Sequence, residues 1–151
     1  MALLAKGTWI VLADGEKALI CENTGTPRAP ELHLHDRMTQ DIAAQRDQAD
    51  DKPGRMPDPG RNQRSAMEAT DLPRLARERF AAEVAERIAR HVGRAGVERL
   101  VIAAPPQTLA VLRAALDPEV RARVIAELPK ALTHQPLPEV AGQLADLVDP
   151  L

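Results

Sequence analysis

The stretch Thr8-Trp-Ile-Val-Leu-Ala-Asp-Gly-Glu-Lys-Ala-Leu-Ile-Cys-Glu22 decides the fold class. Residues 8–13 are β-rich and apolar on both faces, which is typical of a central strand. Asp14-Gly15 is a strong hairpin signal, because a two-residue turn needs positive φ angles that glycine tolerates. Residues 17–22 are then predicted to form the return strand, so the hairpin spans residues 8–22.

A third strand is predicted for Glu31-Leu-His-Leu-His35, where apolar and polar residues alternate strictly. Alternate residues of a strand face opposite sides of a sheet. We therefore expect Leu32 and Leu34 to face the core, and His33 and His35 to share a polar face. Two histidines are too few for a zinc site, which needs three or four ligands, and no metal or other cofactor is predicted.

Residues 36–70 contain one member of the set Leu, Ile, Val and Phe, namely Ile42, together with three prolines and dense charge. Such a segment cannot bury enough apolar surface to offset the entropy of ordering it. We predict a long, exposed and mobile basic and polar loop at 36–70, inserted before the main helix of a single domain spanning residues 1–151.

Helical periodicity begins at Asp71, a candidate N-cap, and Gly93 is the candidate C-cap. One apolar stripe recurs every four residues in this segment; it consists of Ala76, Phe80, Val84, Ile88 and Val92. The arginines and glutamates of residues 74–90 are interpreted as a salt-bridged solvent face.

The C-terminal third alternates between strands and helices. Residues 99–104 are a short apolar run of the parallel, doubly covered kind. Residues 124–128 are ambiguous: propensity extends the preceding helix to Pro129, whereas the running β-α-β order favours a strand. The predicted fold is mixed α/β, with element order β-β-β-loop-α-β-α-β-α and helices packed on a mixed sheet of about five strands.

Composition excludes several classes of protein. The 151 residues carry 20 basic and 22 acidic side chains, so no global positive field attracts nucleic acid or membrane. Aromatic residues make up 1%, which argues against a stacking platform for single strands. The start is too short for a secretory signal and no apolar run could span a membrane. We expect a cytoplasmic protein without membrane or DNA partners.

Stretches along almost the whole chain resemble the bacterial host attachment family, whose members are named as proteins required for attachment to host cells. The resembling residues are Trp9–Gly15 with Ala18–Ile20, Glu78–Phe80 with Ala85–Ile88, Leu100–Pro106, Leu109, Leu112, Arg113, Leu116–Pro118, Val124 and Glu127–His134. That family is in turn remotely similar to the middle domain of archaeo-eukaryotic release factors and Pelota-type rescue factors. The resemblance implies an RNase H-like mixed-sheet fold and supports the strand at 124–128.

In release factors the loop before the long helix carries a Gly-Gly-Gln tripeptide, which enters the peptidyl-transferase centre and helps water attack the peptidyl-tRNA ester. The corresponding loop here reads Gly60-Arg-Asn-Gln63-Arg64, so the resemblance places Gln63 at the catalytic position. Arg61 and Asn62 replace the two glycines. Glycine permits backbone conformations and close approach that these residues largely forbid, so the prediction leans against an enzyme.

The same loop is the candidate RNA-binding site. Its predicted contacts are Lys52, Arg55, Gly60, Arg61, Asn62 and Arg64. The four cations stand against the single carboxylate of Asp58, and arginine forks suit phosphate. The favoured hypothesis is a non-catalytic binding module that contacts ribosome, tRNA or other RNA through residues 52–64. Two alternatives stay open: a peptidyl-tRNA or similar ester hydrolase that uses Gln63 to orient water, and a factor acting indirectly in host-cell attachment.

Overall fold

The computed structural model describes residues 4–40 and 59–148, with side chains for residues 4–40 and 74–146. The elements in chain order are β1 (Trp9–Ala13), β2 (Lys17–Asn23), β3 (Leu32–Thr39), α1 (Pro59–Ala95), β4 (Leu100–Ala103), α2 (Pro106–Ala115), α3 (Pro118–Arg121), β5 (Val124–Leu128) and α4 (Leu137–Val148). The order β-β-β-α-β-α-β-α is the predicted one, with the short α3 added before β5.

The five strands form one mixed sheet in the order β3-β2-β1-β4-β5. Strand β2 is antiparallel to β1 and β3, whereas β1, β4 and β5 are parallel to one another. This arrangement confirms the mixed α/β, RNase H-like fold. It also confirms the N-terminal hairpin and the strand at residues 124–128.

Both faces of the sheet are covered, as the apolar pattern of β1 predicts. Trp9 and Val11 point to the face that packs on α1 and α2, and Ile10 and Leu12 point to the face that packs on α4. The predicted stripe of α1 lies in the first core, where Phe80 is 3% exposed. Its other buried members are Val84, Ile88 and Val92.

The hairpin turn is held by an aspartate rather than by a glycine conformation. The Asp14 carboxylate Oδ1 accepts hydrogen bonds from the backbone N–H of Glu16 at 2.7 Å and of Lys17 at 2.8 Å. Positive φ occurs among the described residues at Gly7 and Gly96, and not at Gly15. The hairpin prediction is therefore confirmed, but its physical reason was wrong.

The segment predicted as a loop at 36–70 is ordered at both ends. Its first residues pair with β2 as the end of β3, so backbone hydrogen bonds stabilise them without an apolar side-chain pattern. At its other end, α1 begins at Pro59 instead of Asp71, in a stretch rich in residues with good helix propensity. Residues 41–58 lie outside the described residues, and the prediction of a mobile loop is not tested there.

The end of α1 also differs from the prediction. The helix continues past Gly93 to Ala95. Gly96 follows with φ of +64°, the left-handed conformation that favours glycine after a helix. The terminating glycine is thus Gly96, and Gly93 is an ordinary helical residue.

The predicted burial of β3 is wrong in part, and the strand contains a bulge. Asp36 pairs with Ile20 and Leu34 pairs with Cys21, so His35 is an extra residue between them. His33 and His35 share the α1 side of the sheet, where the His35 ring stacks on Trp9, and the bulge brings Asp36 to the same side. Leu34 lies on the opposite face of the edge strand and is 41% exposed rather than buried.

Candidate functional site

The predicted site residues Gly60 to Arg64 lie in the first turns of α1, which we call the α1 tip (residues 59–64). Within the part of α1 whose side chains are described, Phe80 is the first buried residue. At about 1.5 Å per helical residue, Gln63 is about 26 Å from Phe80 along the helix axis. The predicted site is therefore far from the core, at the end of a long helix.

The helical backbone at the α1 tip changes what Gln63 can do. The first N–H groups of a helix, here up to Asn62, have no acceptor within the helix. From Gln63 onward, the N–H groups are used by helical hydrogen bonds. A helix start of this kind suits an anion such as phosphate. The other two predicted cations, Lys52 and Arg55, lie outside the described residues.

The C-terminal half of α1 is bound to the sheet through the carboxylate of Asp36. Asp36 accepts hydrogen bonds from Arg87 Nη1 at 3.0 and 2.8 Å and from His91 Nε2 at 2.9 Å. Burial alone would raise the pKa of Asp36, but hydrogen bonds from His91, Arg87 and the Arg37 backbone, with the Arg87 charge, lower it below its usual value. This Asp36 cluster (Asp36, Arg87 and His91) fixes α1 against β3.

A stacked pair of rings adjoins the Asp36 cluster. Trp9 is a core residue, 5% exposed, and its ring lies 4.3 Å from the His35 ring at an interplanar angle of 7°. His35 Nε2 lies 2.8 Å from a Glu22 carboxylate oxygen. Although His33 is close to His35, the described part of the chain contains no group of three or more side chains arranged to hold a metal.

Sequence reasoning missed a cleft of about 890 Å³ at the carboxyl edge of the parallel strands. We call it the Asp14 cleft. Its walls come from the turn after β1, the start of α2, one turn of α1 and the segment after β5. The lining residues are Asp14, Gly15, Glu16, Gln40, Ala76, Arg77, Pro105, Pro106, Gln107, Thr108 and His134.

Asp14 organises this cleft as well as the hairpin turn. Its second oxygen, Oδ2, accepts a hydrogen bond from the Thr133 hydroxyl and lies 3.5 Å from Nε2 of His134. Asp14 belongs to the first stretch that resembles the family, and Thr133 and His134 belong to the last one. The structure brings these two stretches together at the Asp14 carboxylate. The signal in the sequence was polar residues placed after strands: Asp14 follows β1 directly, and Thr133 and His134 follow β5 after a short segment. Their meeting depends on a strand order that the sequence does not show.

The chain matches the family described as Bacterial archaeo-eukaryotic release factor family 12 over residues 7–144. It belongs to this family. The match begins before β1 and ends in α4, so it includes the whole sheet, the α1 tip and the Asp14 cleft. No curated protein matches the chain.

Membership of the release factor family confirms the release-factor resemblance. Attachment to host cells stays a prediction, as do the roles of Gln63 and of the basic residues around it. Within the described ranges, this family member has no helix long and apolar enough to cross a membrane.

Proposed function

We propose that this release factor family member is a non-catalytic module that binds ribosome, tRNA or another RNA in the cytoplasm through residues 52–64. The observation that carries the proposal is the position of Gly60–Arg64 at the start of α1, in a domain of the release factor family. The other end of this helix is held by the core and by the Asp36 cluster. A rigid helix of this kind presents its first residues to a partner at a distance from the body of the domain.

Charge supports a nucleic-acid partner. Lys52, Arg55, Arg61 and Arg64 fall within 13 residues that hold one carboxylate, Asp58. Arginine binds phosphate with two parallel hydrogen bonds, and the unpaired N–H groups of a helix start add donors for the same ligand. Binding of this kind is weakened by salt, because it releases counterions from the phosphate backbone.

Catalysis is not part of the proposal. A glutamine amide does not titrate at neutral pH, so Gln63 could only orient water through hydrogen bonds and could not accept its proton as a general base. Arg61 and Asn62 stand where release factors have two glycines. With the backbone helical at these residues, a close approach of the peptide group to a tRNA ester is not favoured.

Co-sedimentation with ribosomes and with tRNA across a salt series tests the binding. The test variant replaces Lys52, Arg55, Arg61 and Arg64 by Gln. The control replaces the exposed cations Arg28, Arg79, Arg94 and Lys130 by Gln and makes the same change in net charge. We expect the test variant to lose binding affinity. The slope of the logarithm of its binding constant against the logarithm of salt concentration should be shallower by about 3–4, close to one for each phosphate that is no longer neutralised. Equal losses in both variants would show that only overall charge matters.

Gln63→Ala separates the binding module from the hydrolase. We expect this variant to bind RNA nearly as well as the natural chain, and neither protein to release the peptide from peptidyl-tRNA, with or without ribosomes. Enzyme-like hydrolysis that Gln63→Ala abolishes would replace the proposal with the hydrolase hypothesis.

A further inference from the structure

The Asp14 cleft contains polar groups that the α1 tip does not use. It opens at the carboxyl edge of β1 and β4, the edge where ligands bind in open α/β sheets. Its volume of about 890 Å³ is within the usual range of small-molecule sites. The cleft is separate from the α1 tip, so a ligand here is independent of the proposed function.

Arg77 supplies a cation on one wall. Its side chain lies along the hairpin turn: a Cβ atom placed on Gly15 would be 3.5 Å from Cδ and 3.6 Å from Cγ of Arg77. This packing directs the arginine over the cleft. Among the residues the structure describes, its guanidinium has no acidic partner within salt-bridge distance. An unpaired guanidinium suits a phosphate group, which accepts two parallel hydrogen bonds from it.

His134 supplies a second donor at the mouth of the cleft. Its side chain is 79% exposed, and Asp14 lies behind it. Both oxygens of Asp14 are already occupied, by two backbone N–H groups and by the Thr133 hydroxyl. These hydrogen bonds hold the Asp14 carboxylate behind His134, and Glu16 is the other acidic group of the lining.

The rest of the lining is suited to a flat, weakly polar ring. Pro105, Pro106 and Ala76 present apolar surface, and the side chains of Gln107 and Thr108 add hydrogen-bonding groups. A smaller apolar cavity of about 20 Å³ adjoins the same turn and shares Arg77 with the cleft.

We propose that the Asp14 cleft binds a nucleoside monophosphate group, with the phosphate on Arg77 and His134 and the base against the prolines. A free mononucleotide and the terminal nucleotide of an RNA both carry this chemistry.

Titration of the isotope-labelled full chain, followed by NMR, tests the site with four probes: AMP, adenosine, inorganic phosphate and an RNA trinucleotide ending in adenosine. We expect saturable shifts at the amides of Gly15, Gln107 and Thr108 with AMP, with Kd at or below about 1 mM. Adenosine and phosphate should each bind at least about tenfold more weakly, since each makes half of the contacts. Tighter binding of the trinucleotide would assign the site to an RNA end, and tighter binding of AMP to the free nucleotide. No saturable shift with either would overturn the proposal.

Arg77→Gln and His134→Gln test the residues. Arg79→Gln is the matched control, because Arg79 is exposed on the same helix but does not line the cleft. We expect Arg77→Gln to weaken AMP binding about tenfold or more, as loss of a charge-assisted pair does, and the control to leave it unchanged. His134→Gln should give a smaller loss. Thermal unfolding checks that each variant is folded. Equal affinity in Arg77→Gln, His134→Gln and the control would overturn the assignment.

Discussion

The two halves of α1 belong to one continuous helix but are stabilised differently. From Phe80 to Val92 an apolar stripe is buried against β1 and α2, and Asp36 binds the same half through Arg87 and His91. We call residues 80–95 of α1 the packed half and residues 59–79 the front half. In the front half, side chains are described from Arg74 to Arg79, and none of these is buried. Packing therefore fixes the second half, and a helix extends from an existing one by propagation at far less cost than starting a new one. Function is proposed at the opposite end of the same helix.

Removing the largest side chain of the packed half should have the largest effect. Phe80→Ala is expected to lower the free energy of unfolding by about 3–5 kcal/mol, because it leaves a cavity between helix and sheet. Chemical denaturation measures the loss. The control is Leu75→Ala, since Leu75 is 45% exposed on the same helix and its loss should be within about 0.5 kcal/mol. A loss below about 1 kcal/mol for Phe80→Ala would contradict the burial of the stripe.

The same difference explains which part of α1 could be predicted from the sequence. Burial against one neighbour forces a period of four residues on Phe80, Val84, Ile88 and Val92, so the pattern shows both the helix and its buried face. Residues 59–70 carry no such stripe, and Pro59, Gly60 and the charged residues of this stretch are typical of loops. Helix propensity alone is a weak signal, so the sequence could not show that the helix starts at Pro59.

The strands show a similar division. The central strand β1 is buried on both faces, and its uniform apolar pattern predicted this correctly. The edge strand β3 alternates regularly in sequence, but the bulge at His35 breaks the alternation in space. A single inserted residue leaves no mark on the hydrophobic pattern. The contact of Asp36 with α1 therefore needed the structure.

The Asp14 cleft could not be predicted from local pattern for another reason. Asp14, Pro105 and His134 each follow a different strand and are distant in the chain. Their meeting requires that β1, β4 and β5 be parallel neighbours, which depends on tertiary pairing. The α1 tip was predicted as a site from the family resemblance. Its sequence does not indicate how a partner would be oriented there.

Removing the Asp36 charge, which binds the packed half of α1 to β3, should have an intermediate effect on the free energy of unfolding. Asp36→Asn is expected to cost about 1–3 kcal/mol at neutral pH, because Arg87 and His91 lose a charged acceptor. The exposed Asp146→Asn serves as the control. Urea denaturation of both variants gives the difference. Equal stability of the two would mean that the Asp36 cluster adds nothing to the packing.

The pH dependence of that difference follows from the direction of the pKa shift. The pKa of Asp36 is lowered in the folded chain, so its contribution is fully present above the unfolded value of about 4 and is lost as pH falls through the folded value. The gap between the natural chain and Asp36→Asn should therefore be constant from pH 5 to neutrality and should close in stronger acid. A gap that closes above about pH 6 would assign it to another group.

The smallest effect on stability is expected from a proline in the front half. Ser65→Pro removes a helical hydrogen bond and clashes with the preceding turn, yet the core lies far along the helix. We expect the free energy of unfolding to change by less than about 0.5 kcal/mol, while circular dichroism at 222 nm loses signal and RNA binding falls. Ala82→Pro is the control, since Ala82 is exposed but lies within the packed half; it should cost about 3 kcal/mol or more. Similar costs for the two prolines would show that the front half unfolds together with the core, and the division of α1 into an anchored half and a presenting half would then be wrong.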